Sequence, residues 1–187
     1  MTPKLRSAVV TAAICSIGFL GAGPVSAASP FDWQGSVLRF SLDAQRYTVS
    51  ETDFDVLTAV VGASVPIDTG VMVELNFGQG VEQDEIGNLE LQVDRFSELS
   101  LRMTAPPTDN GFRVMSRLGF TFATLETVTT TTGASTDSDL SGYHFSLGVE
   151  RALGSNLAWS FEAVHIDLDD DIRSAALRGS LSWSLRP

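Results

Sequence analysis

From Leu38 onward, apolar and polar residues alternate with a period of two. Leu38, Phe40 and Leu42 alternate with Arg39, Ser41 and Asp43, and a weaker run follows in Leu57, Ala59, Val61 and Ala63. Val71, Val73, Leu75 and Phe77 alternate with Met72, Glu74 and Asn76. Leu89, Leu91 and Val93 continue in one parity to Leu99, Leu101 and Met103, opposite Glu90, Gln92, Asp94, Glu98 and Arg102. Phe112, Val114, Leu118, Phe120 and Phe122 oppose Arg113, Met115, Arg117, Gly119 and Thr121. The last three runs are the clearest: Tyr143 to Val149, Leu157 to Ala163, and Ala175 to Leu185. Such alternation predicts half-buried strands, and no stretch of helical length has a 3.6-residue period.

Eight strands in one domain require a closed sheet or a sandwich. The predicted connections run to about 12, 5, 11, 8, 19, 6 and 7 residues, so the odd ones are mostly longer than the even ones. An up-and-down membrane barrel produces that asymmetry, with long loops outside and short turns on the periplasmic side. The short ones carry turn chemistry at Pro66–Gly70, Thr108–Gly111 and Gly154–Asn156. The longest, Thr124 to Gly142, is Thr-rich and polar and is expected to be a mobile loop.

The polar face decides which solvent the barrel meets. It mixes Gly119, Ser146, Gly148, Ser160 and Ser180 with Arg and Glu. A solvated outer face does not need so many small residues, whereas an eight-stranded lumen has room only for side chains. The expected fold is therefore all-β: an eight-stranded antiparallel up-and-down transmembrane β-barrel with both termini periplasmic. Arg39, Glu74, Glu98, Arg102, Arg113, Arg117, Glu150, Glu162 and Arg178 are expected to face the lumen as a structural charge network, because buried charge must be paired. Phe112, Trp159 and Trp183 fall at one end of their strands, Phe122 and Tyr143 at the other, as two aromatic girdles do.

Composition refines this picture. The chain has 187 residues, 43% of them hydrophobic, which excludes a disordered or fibrous class. Residues 1–27 read as a cleaved signal peptide: Lys4 and Arg6, an apolar run from Ala8 to Gly21, then Pro24-Val25-Ser26-Ala27. The apolar run is too short for a spanning helix, and Ile14 before Cys15 argues against a lipoprotein signal. Residues 28–187 are the expected barrel domain. They carry 23 acidic residues and ten basic ones, all Arg, for a net charge of −13. That balance speaks against nucleic acid as a partner. Without Cys, the domain suits an oxidising compartment.

The segment Gly142-Tyr143-His144-Phe145-Ser146-Leu147-Gly148-Val149-Glu150, continuing through Arg151-Ala152-Leu153-Gly154-Ser155-Asn156 to Leu157-Ala158-Trp159-Ser160-Phe161-Glu162, resembles the closing hairpin of small bacterial outer-membrane barrels. These are the opacity-like or "porin family" eight-stranded proteins. The likeness covers about the last third of the chain well and the rest only as pattern. It departs at Ala163, where a Tyr often follows the Glu, and at the end, Trp183-Ser184-Leu185-Arg186-Pro187, which lacks a terminal aromatic residue. The resemblance implies the cell outer membrane, contact with its lipid and lipopolysaccharide, and assembly-machinery recognition of the last strand through Leu181, Trp183 and Leu185.

His144-Phe145-Ser146 is the one constellation with catalytic potential, since some lipid A-deacylating barrels pair His and Ser two apart on a strand. Here both face the lumen, away from lipid, and no acid stands at convincing spacing. Asp167, Asp169, Asp170 and Asp171 form an acidic cluster without an EF-hand pattern, expected to be a solvated hairpin tip. His165 shares a face with Trp159, Phe161 and Ala163 and belongs to the outer headgroup zone. No catalytic residue, metal or cofactor is expected, and the protein is expected to be a monomer. The expected role is that of a structural or surface-interaction barrel with a filled lumen and polar acidic outer loops. The alternatives are a small diffusion channel and, behind it, a lipid A-modifying enzyme.

Overall fold

The computed structural model describes residues 35–49, 51–169 and 172–185. The expected signal peptide, 1–27, and the start of the expected barrel domain lie outside the described residues, as do Asp170 and Asp171. The predicted runs become β1 (Val37–Val49), β2 (Thr52–Asp68), β3 (Val71–Glu82), β4 (Asp84–Ile86), β5 (Leu89–Thr104), β6 (Phe112–Thr129), β7 (Ala134–Ala152), β8 (Leu157–Leu168) and β9 (Arg173–Ser184). All pair antiparallel in the order β3-β2-β1-β9-β8-β7-β6-β5, and a β3–β5 ladder closes the ring. The short β4 only pairs with β5, so the closed barrel has eight strands. Closure leaves no free sheet edge around the ring.

Val37 pairs with Ser184, so the ends of β1 and β9 share one rim with the β2–β3, β5–β6 and β7–β8 connections. Two of these turns use left-handed glycines, Gly70 (φ 72°) and Gly111 (φ 76°), a conformation costly for a residue with a Cβ. We call this the terminal rim and the opposite one the far rim.

The structure corrects the expected loops. The stretch Thr124 to Gly142 is not a mobile loop. It is the tall end of the β6–β7 hairpin, paired without a break from Thr124↔Asp139 to Thr129↔Ala134. The predicted 12-residue first connection likewise shrinks, because β1 and β2 pair as far as Val49↔Thr52. Polar residues there had masked strands that run on past the apolar belt, where the outer face meets water and alternation by hydrophobicity fades.

A second correction concerns parity. Leu91 and Val93 do not share a face with Leu99 and Leu101. A β-bulge between Val93 and Arg95 shifts the register, so Leu91 and Val93 turn inward, while Leu99 and Leu101 stay on the outside. One extra residue flips every side chain beyond it to the other face.

The outer wall carries an exposed apolar belt. Phe40, Phe120 and Tyr143 are 61%, 62% and 60% exposed, and Leu118, Phe145 and Leu181 are exposed with them. A belt of that extent is tolerated where it faces lipid.

Candidate functional site

The lumen is the candidate site, because inward positions of the strands converge there with most of the charge that the alternation predicts. On β1, Arg39, Ser41 and Asp43 alternate inward with Phe40 and Leu42 outward, and the same rule places Arg117 on β6, Glu162 on β8 and Arg178 on β9. Arg178 lies at the centre of one cluster. Its Nη2 donates to Asp43 at 2.6 Å, and its Nη1 donates to Glu98 at 2.9 Å. A second cluster joins Arg39 to Glu74 (2.9 Å), and Arg117 to both Glu74 (3.0 Å) and Glu162 (3.2 Å). Asn76 links the two, its Nδ2 donating to Glu74 and Glu98 at 3.0 Å each. The Ser146 hydroxyl donates to Glu162 at 2.9 Å. These groups are almost fully buried and span the interior as one network.

β2 contributes space instead of charge. A Cβ on Gly62 would lie 1.9 Å from Asn76 Oδ1, so the bridging amide fits only opposite a glycine. Nearer the terminal rim, Arg102 pairs with Glu150. Beside that pair, a cavity of about 470 Å³ opens at the rim, lined also by Met72, Thr104 and Ser182.

Of the nine predicted lumen charges, the structure buries eight. Arg113 is the exception. It is exposed, near the end of β6, and lines the rim cavity. The position of the last inward residue on a tilted strand, inside or at the mouth, is a tertiary matter. Asp43 and Asn76 belong to the network although neither stood among the predicted charges. Asp43 shares its parity with Arg39 and Ser41, so the signal was present in the alternation.

His144 and Ser146 both lie buried in the lumen but are not hydrogen-bonded to each other. His144 Nδ1 bonds Thr121 Oγ1 at 2.8 Å, and Ser146 is committed to Glu162. A hydroxyl that donates to a carboxylate is not held by a histidine base.

Beyond the network, towards the far rim, the interior changes character. Tyr47, Phe54, Val93, Leu125, Ile166 and Leu168 pack there as a continuous apolar core, a region that sequence reasoning missed. Its signal was the weak second run, since β2 carries Phe54, Val56 and Val60 inward as well as Leu57, Ala59 and Val61 outward.

The predicted girdle residues divide between the two ends of the belt. At the terminal end, Phe112 and Trp159 meet edge to face at 6.1 Å, with Arg151 over the Phe112 ring at 5.0 Å, and Trp183 is exposed. Phe122 and Tyr143 are exposed towards the far end. Above the belt, Arg46 donates to both oxygens of Asp55, at 2.8 and 2.9 Å, which lowers the pKa of that carboxyl. His165 is exposed on the outer face of β8. Asp169 accepts from the Ser141 hydroxyl at 2.5 Å, and Arg173 lies 3.9 Å from Asp167. Among the described residues, no group of three or more His, Cys, Asp or Glu is placed to hold a metal ion.

A family model described as "Outer membrane protein beta-barrel domain" matches residues 12–184. Among solved structures, the chain is similar to Neisserial surface protein A (NspA), with 11% identity and a TM-score of 0.64 over 81% of this chain and 98% of that one. It is also similar to Ail of Yersinia pestis, with 10% identity and a TM-score of 0.60 over 81% and 99%. OprG of Pseudomonas aeruginosa gives 10% identity and a TM-score of 0.56 over 82% and 97%. At these identities the likeness is one of fold. A search of curated proteins finds no match.

Proposed function

The chain belongs to the outer-membrane protein β-barrel family and resides in the cell outer membrane, and from that premise we propose that it is a non-catalytic, non-conducting barrel that acts through its far rim. The observation that carries this is the ion-pair and amide network from Asp43 through Arg178, Glu98, Asn76 and Glu74 to Arg117 and Glu162. Eight strands leave room inside only for side chains, and here those side chains bind one another. A solute would have to separate buried ion pairs, each of which is costly to break. Catalysis by His144 and Ser146 lacks both a His–Ser hydrogen bond and a route from lipid to the lumen.

With the lumen closed, chemistry is left to the far rim, which on this reading faces outward with both termini periplasmic. The described segments that reach it, 46–49, 51–55, 79–95, 124–141, 165–169 and 172–173, carry thirteen acidic residues and three arginines, a net charge of −10. Ail was solved in complex with the heparin analogue sucrose octasulfate. Such a polyanion is a poor match for this rim, whose field favours a basic protein surface. Assembly through the last strand, a monomeric state and contact with lipopolysaccharide complete the reading.

Planar-bilayer recording of the folded chain tests it. No stable unitary current is expected, and porin-scale steps from monomers would overturn the closed lumen. One observation favours a small channel as the second reading: Arg39 Nη2, Arg117 Nε and Nη1, and Glu74 Oε2 are buried without a protein partner, and such atoms line a polar path. Mass spectrometry of lipid A from cells with and without the protein separates both readings from the enzyme. An acyl chain lost only when the protein is present, and retained in Ser146→Ala, would refute the absence of catalysis.

A further inference from the structure

The terminal rim holds space as well as charge. Strand parity turns Val37, Ala152, Ala158 and Ser184 inward at the ends of β1, β7, β8 and β9. These side chains are small, and they leave room where the next inward positions of β1 and β7 carry Arg39 and Glu150. The result is the rim cavity of about 470 Å³. Its floor is closed. Arg39 Nε donates to Ser182 Oγ at 3.3 Å, the ion-pair network lies behind that contact, and the apolar core lies behind the network. The cavity is therefore blind, open at the terminal rim and sealed from the far one.

The charge in its wall is unevenly served. Arg102 is 3% exposed and lines the cavity. Its Nη2 pairs with Glu150, but its other contacts are thioethers, Met72 Sδ at 3.7 Å and Met115 Sδ at 3.9 Å, which are weak acceptors. Its Nε is buried without a protein partner. A buried donor in that state is costly, and one beside an open cavity is served by what enters it. Arg113 stands directly opposite Glu150 across β6 and β7, yet it is Arg102 that takes the carboxylate. Arg113 is left to line the same cavity, and Asp68 adds a second carboxylate to the wall. Two arginines and two acids thus surround one space.

We propose that this cavity takes up a short peptide with free ends, its carboxylate on Arg102 and Arg113 and its ammonium on Glu150 and Asp68. Charge selects that occupant. The four wall charges cancel, so a ligand that is neutral overall but carries both signs meets each of them with its match. A dianion would lie against Glu150 and Asp68, and a polyamine against the two arginines. Thr104, Ser182 and Ser184 supply hydroxyls to the same space for peptide groups. The volume falls within the range of about 300–1,000 Å³ usual for small-ligand sites. One element rests on the reading above: with both termini periplasmic, the open end faces the periplasm, and the peptide comes from there. The site is separate from whatever the far rim binds.

Isothermal titration calorimetry of the full chain folded in detergent tests it, with dialanine, its N-acetylated form, its C-terminal amide and glycerol phosphate as probes. Dialanine is expected to bind about tenfold more tightly than either blocked form or the phosphate, since each block removes one charge-assisted contact. Arg113→Gln is expected to weaken dialanine by about the same factor. Ala158→Leu, which fills the cavity and leaves every wall charge in place, is expected to abolish binding. Heat-modifiable gel mobility verifies that both variants fold. No binding of dialanine by the folded wild type, equal binding of a blocked form or of glycerol phosphate, or wild-type binding by Ala158→Leu overturns the site. Binding is read in detergent, so porin-scale currents in a bilayer would count against the closed lumen, while dialanine selectivity alone decides this cavity.

Discussion

In the half of the barrel nearer the chain termini, Arg39, Arg117 and Arg178 are held by four carboxylates, while Phe40, Leu118 and Leu177 cover the outside. In the far half the arrangement inverts. Val93, Leu125 and Ile166 pack inside, while Arg46, Glu126 and Asp167 stand on the outer wall. Single strands show the inversion: on β8, Glu162 faces inward with Phe161 outward, and a few residues on, Ile166 faces inward with Asp167 outward. The difference teaches where the solvent changes. Against lipid, the outer face must be apolar and the inside takes the polar residues; against water, the strands revert to the pattern of a soluble sheet. The inversion marks the upper membrane boundary.

Four substitutions break or sharpen this contrast, each read by urea unfolding of the detergent-folded barrel. Arg178→Met has the largest expected effect, because it strands Asp43 and Glu98 in the lumen: a loss of about 3–5 kcal/mol. Replacing all three by apolar residues of similar volume should recover most of that loss. If it does not, the charged half depends on more than pairing. In the apolar half, Leu91→Ala is expected to cost about 2–5 kcal/mol, as for a packed core. A negligible loss would mean that the far half is not a core.

Gly62→Ala tests the fit between the two kinds of interior. Its Cβ would meet Asn76 Oδ1, and overpacking of that kind costs about 1–3 kcal/mol. Asp55→Asn is expected to do least, with no resolvable change of the unfolding midpoint at pH 7, because the pair with Arg46 is exposed. The Asp55 pKa is lowered in the folded state by its hydrogen bond to Arg46. What the pair contributes is therefore present above the ordinary carboxylate range and fades as pH falls through the lowered value. A variant that differs from the wild type more in acid than at pH 7 would contradict that sign.

Much of the near half was legible in the sequence. Arg39, Glu74, Arg117, Glu162 and Arg178 each interrupt an apolar row at even spacing, and parity alone sends them inward. The far half was not legible in the same way. Polar residues stretch from Thr124 to Gly142, and loops and water-exposed strands have similar composition. The Asp94 bulge was invisible because Leu89, Leu91 and Val93 keep perfect alternation with Leu99 up to the residue that breaks it.

The sequence by itself determined the strand period, the membrane-facing rows of β1, β3 and β6–β9, and the inward parity of the nine predicted lumen charges. Those properties are local, since a period of two fixes which side chains share a face. Only the tertiary structure decided which charges pair, that Arg113 stays at the rim, and where the bulge reverses β5. Each of these depends on register between strands distant in the chain. Register is set by how the whole ring closes and not by any one strand's pattern.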